Sequence, residues 1–145
     1  METTNIKAAF VPLLTVFPEY GNAPFLWIIR SPEQGGVGWN LCDGLYWDDS
    51  FPLSEGLWTK FVDWVVDYER AALHSDEREA AVWDWTAFHL RGMQLSRWLK
   101  EEVGEAYRVA YYKPCEDPNH HVDERTEILA GGGLRPMQRL RGSVT

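Results

Sequence analysis

The chain has 145 residues, a net charge of -8, a 45% hydrophobic share and eight tryptophans. That apolar content is too high for a disordered chain, and the acidic balance lacks the basic stripe that phosphate-backbone binding requires. No apolar run approaches the roughly 18 residues of a membrane helix, and the two cysteines are too few for a disulfide scaffold. The N-terminus carries Glu2 and Lys7 but no A-x-A-like cleavage site, so a cytoplasmic protein with reduced thiols at Cys42 and Cys115 is expected. One domain is the expectation for this length.

Ile6 to Phe17 reads as extended, and Pro12 would place it at a sheet edge or bulge. Phe25 to Arg30, bounded by Pro24 and Pro32, reads as a buried central strand. Trp39–Cys42 and Leu45–Trp47 flank Asp43-Gly44, a dipeptide suited to a type I′ turn, which predicts a short hairpin. Ser54 is an N-cap for a helix running to about Leu73, with Leu57, Phe61, Trp64, Val65, Tyr68 and Ala72 as its apolar stripe. Ser75-Asp76-Glu77 breaks and restarts the helix. A second long helix is expected from about Asp84 to Val103, ending at Gly104. Trp85, Phe88, Gly92, Leu95 and Leu99 share one face, and Gly92 there implies close backbone approach to the sheet or the first helix. Tyr107 to Lys113 alternates like a strand. The order gives an α+β domain: a mostly antiparallel sheet against two main helices, over residues 1–130, with a flexible basic tail over 131–145.

Candidate chemistry is sparse. Cys115, Glu116, Asp117, His120, His121, Asp123 and Glu124 mix thiol, imidazole and carboxylate within ten residues, so a metal-dependent hydrolase centred on His120, His121 and Asp123 is one reading. The spacing is not that of a structural zinc site, and a solvated acidic loop accounts for it better. His89 could act as a base for Cys42 or Cys115, yet nothing shapes a nucleophile elbow. Gly35, Gly36 and Gly38 fit neither a dinucleotide fingerprint nor a P-loop, so no cofactor is expected. Asp43, Asp48 and Asp49 lack the spacing of a calcium loop. No catalytic or metal-ligating residue is assigned.

Trp39, Trp47 and Trp58 are the tryptophans hardest to place inside. Trp39 and Trp47 fall beside Asp43, Asp48 and Asp49, and aromatic anchors among carboxylates suit a basic protein partner. Closing one end of the core is the equal alternative for them.

The stretch from Trp83-Asp84-Trp85 through His89-Leu90-Arg91-Gly92, Glu101-Glu102-Val103-Gly104 and Tyr107–Pro114 to Glu116-Asp117-Pro118 resembles immunity proteins of contact-dependent growth inhibition and related polymorphic toxin systems. The resemblance covers residues 83–118. It implies a non-enzymatic cytoplasmic domain that neutralises one cognate toxin, often a nuclease, with no nucleic-acid or membrane partner and no catalytic residue to carry over. Together with the charge pattern it selects Trp39, Asp43, Trp47, Asp48, Asp49, Glu116 and Asp117 as the expected toxin contacts. A structural component of a phage or mobile element is the remaining alternative.

Overall fold

The structure, a computed structural model, describes residues 10–21, 24–42 and 51–137. Three strands, β1 (Leu13–Val16), β2 (Leu26–Ile29) and β3 (Trp39–Asn40), precede three helices, α1 (Glu55–Ala71), α2 (Glu77–Val82) and α3 (Trp85–Val103). Strands β4 (Arg108–Tyr112), β5 (Arg125–Ile128) and β6 (Leu134–Pro136) follow. The six strands form one sheet in the order β3-β2-β1-β4-β5-β6. Only β1 and β4 run parallel; the helices intervene between β3 and β4, and the other neighbours are antiparallel. This is the expected α+β class.

The helices begin and end where local chemistry requires. Ser54 Oγ accepts from Leu57 N to cap α1, and Glu102 near the end of α3 accepts from both Ser54 N and Ser54 Oγ at 2.7 Å. Asp76 caps α2 and Asp84 caps α3 in the same manner. Gly104 ends α3 at φ 64, ψ -150, a conformation that needs glycine.

Leu57, Phe61, Trp64, Val65 and Tyr68 of α1 meet Trp85, Phe88, Leu95 and Leu99 of α3 over Leu14, Val16, Leu26, Ile28, Val109 and Tyr111 of the sheet. The centre of this core is aromatic. Trp64 stacks on Phe88 at 4.7 Å, and its indole N–H donates to Phe88 O, so the ring is buried with its polar atom satisfied. Gly92 lies where these layers converge: a Cβ there would sit 2.5 Å from Tyr111 Cε1 and 2.6 Å from Trp64 Cζ2. The close approach expected at Gly92 is therefore to the sheet and to α1 at once.

Two sequence expectations change. β1 is interior, paired on both sides and fully buried, and Pro12 lies just before the strand. Its missing N–H is outside the ladder, and its carbonyl accepts from Arg108 N at 2.8 Å. The second change concerns the chain after 124. Arg125–Ile128 is a buried strand, and Leu134–Pro136, expected within a tail, pairs with it through a glycine turn with Gly131 and Gly132 at φ 83 and 91. Glu127 accepts two bonds from Arg108 of β4 at 2.9 Å and one from Arg135 of β6 at 2.7 Å, fastening three strands together. The Arg108 hydrogen bonds, with Arg135 in support, hold the Glu127 carboxyl down at about 2.

Candidate functional site

The loop between β4 and β5 closes over the helix layer. Pro114 O accepts from Asp117 N, Asp117 O from His120 N, and Asn119 O from Val122 N, which coils the chain into successive turns. Asp117 Oδ1 accepts from Asn119 N at 2.8 Å, an Asx turn that fixes the carboxylate. Its Oδ2 then lies 2.8 Å from His89 Nε2 on α3, and His89 Nδ1 lies 2.7 Å from the Tyr111 hydroxyl on β4. A neutral imidazole protonated at Nε2 satisfies all three groups, donating to Asp117 and accepting from Tyr111. Burial lowers the His89 pKa and Lys113 adds to that, outweighing the pull of Asp117.

Carboxylate, imidazole and hydroxyl stand here in the order of a nucleophilic relay. The hydroxyl is in the wrong place for one. Tyr111 is 1% exposed, with its oxygen 2.8 Å from where a Gly92 Cβ would be, and burial raises its pKa well above the usual phenol value. The relay ties loop, helix and strand together.

Glu116 performs the parallel task one residue earlier. Its two oxygens accept from Tyr68 Oη at 2.7 Å and Tyr20 Oη at 3.0 Å, and the two phenol rings stack at 4.9 Å. Both residues of the expected second acidic contribution to a partner surface make contacts within the fold. Asp117 is 3% exposed, and Glu116 is half-buried and engaged by two tyrosines.

Trp39 is 47% exposed at the start of β3, paired with Ile28 on the outer edge of the sheet. Asp43, Trp47, Asp48 and Asp49, with the expected hairpin turn, lie outside the described residues. Trp58 is packed against the core, edge-on to Phe25 at 4.9 Å. Trp98, not among the tryptophans singled out above, is the second exposed tryptophan among the described residues.

The His120 and His121 rings lie edge-to-face, with centroids 5.9 Å apart at 88°, and His120 Nδ1 is 3.1 Å from Asp117 O. Among the described residues no three His, Cys, Asp or Glu side chains are grouped to hold a metal ion. Cys42 is half-buried with Sγ accepting from Phe25 N, Cys115 is exposed, and burial raises both thiol pKa values. Both nitrogens of His89 are engaged elsewhere, so it activates neither thiol.

One groove borders this loop. It has a volume of ≈ 470 Å³ and runs between α3 and the β5–β6 hairpin, with His89 at one side. Its helix wall is Thr86, His89, Leu90, Met93 and Arg97, one helical stripe adjacent to the core stripe. That spacing is visible in the sequence, but the opposite wall comes from β6, which is not.

No family model matches the sequence, and neither the curated proteins nor the solved structures contain a match. Among the described residues no helix is long and apolar enough to cross a membrane.

Proposed function

We propose that this protein is a cytoplasmic immunity protein that binds and neutralises a cognate, basic toxin domain. The observation that carries the reading is the exposed Trp39 at a sheet edge, four residues before the acidic run that starts at Asp43, on a chain of net charge -8. An indole beside carboxylates accepts an arginine by stacking and ion pairing together, and a net negative chain speeds encounter with a cationic partner.

The resemblance over residues 83–118 supports the same reading and acquires a physical meaning. Its conspicuous residues are framework: Asp84 caps α3, Gly92 admits Tyr111, and His89, Glu116 and Asp117 close the loop.

The test is affinity for the toxin domain encoded immediately upstream, with growth rescue of cells expressing that domain. Submicromolar binding and rescue are expected. No binding at micromolar concentration, or binding without rescue, overturns the reading.

A further inference from the structure

We propose that the groove between α3 and β6 is a second docking surface, taking a protein segment that combines bulky apolar side chains with carboxylates. The walls are apolar and open: Leu90 is 68% exposed and Leu134 45%, with Met93 packed onto the core beneath them and Pro136 alongside. Exposed leucines on opposing elements across one cleft form the kind of contiguous patch that folded chains keep for partners.

Charge selects the occupant. Among the described residues, Arg97 and Lys113 line the groove against the one carboxylate of Asp123, so this lining is cationic on a chain of net charge -8. Both cations are positioned in advance. Arg97 Nε donates to Gly132 O at 3.1 Å, and Lys113 Nζ donates to Val122 O at 2.6 Å. Those bonds leave the terminal Arg97 amino groups and the other ammonium protons of Lys113 for a further acceptor. An apolar insert with acidic flanks satisfies walls and cations together, whereas a basic segment would bring like charges to Arg97 and Lys113. This polarity is opposite to that of the proposed toxin contact, so the two surfaces serve different contacts and the inference does not rest on toxin neutralisation.

The experiment uses a displayed library of random peptides selected against the whole immobilised chain, followed by titration of synthetic peptides from the enriched set. Expected are peptides pairing Leu, Ile, Phe or Trp with Asp or Glu, bound at least tenfold more weakly by Leu90→Asp and by Arg97→Glu. Both side chains point into the groove from α3, and melting curves check that the variants fold; Leu90→Ser replaces Leu90→Asp if that variant melts early. No enrichment overturns the proposal, as do enriched basic peptides or equal affinity for the variants. Self-association of the wild type that Leu90→Asp abolishes would assign the groove to a second copy and also overturn it. Because no toxin enters the assay, its failure leaves the toxin reading standing, and failed rescue leaves this one standing.

Discussion

Gly92 sits on the buried stripe of α3, where helix propensity alone would favour alanine by about 1 kcal/mol. The added Cβ would strike Tyr111 and Trp64, both fully buried, so neither ring has space to withdraw. Gly92→Ala should therefore destabilise by about 1–3 kcal/mol in urea unfolding; a neutral or stabilised variant would disprove the tight approach. Ala72 shows the opposite case. It closes α1 in the left-handed region at φ 47, with its N–H donating to Glu69 O, a position that favours glycine. Ala72→Gly should raise stability by about 0.5–1 kcal/mol, read as a higher melting temperature.

The β4–β5 loop is the element whose sequence most misleads. Its acids look like a solvated run, yet Glu116 and Asp117 face inwards to Tyr20, Tyr68 and His89. Glu116→Ala removes the acceptor shared by the Tyr68 and Tyr20 hydroxyls, beside a Tyr68 side chain that is 1% exposed, and should cost about 1–3 kcal/mol of folding stability. A rim carboxylate would instead leave stability unchanged when replaced, so the melting curve separates the two roles. The β5–β6 hairpin was hidden for a related reason. Arg125, Thr126 and Glu127 are polar but buried, and hydrophobic patterning cannot identify a strand whose interior is held by ion pairs. The helices were legible because their stripes and caps are local: Ser54, Asp84 and Gly104 end them where the sequence indicates.

For the whole molecule, acid should act in two steps. His89 has a folded-state pKa below its unfolded value, so the unfolded chain binds the proton first. Its contribution is present above about 6.5 and is lost as pH falls from there towards the folded value. Glu127, held at about 2, contributes above its ordinary carboxyl range and loses that contribution as pH falls towards 2. Melting temperature should fall between pH 7.5 and 5.5, less steeply in His89→Gln, and fall again at lower pH, less steeply in Glu127→Gln. A wild-type curve flat from pH 7.5 to 5.5 would remove the first step. On the proposed reading of a toxin partner, Trp39→Ala should cost about 2 kcal/mol of binding by calorimetry. Asp48→Asn with Asp49→Asn should weaken binding and flatten its salt dependence.

Charge, apolar content, helix stripes, caps and the α+β order follow from the sequence itself, because each depends on composition or on residues within a few positions of one another. Tertiary structure decided the interior position of β1, the β5–β6 hairpin, the inward turn of Glu116 and Asp117, and the second wall of the groove. All of these depend on pairings between residues far apart along the chain: Arg108 with Pro12, Tyr68 with Glu116, His89 with Asp117, Arg97 with Gly132. A carboxylate reads the same in sequence whether it meets water or a buried hydroxyl, and only the packed neighbour distinguishes them.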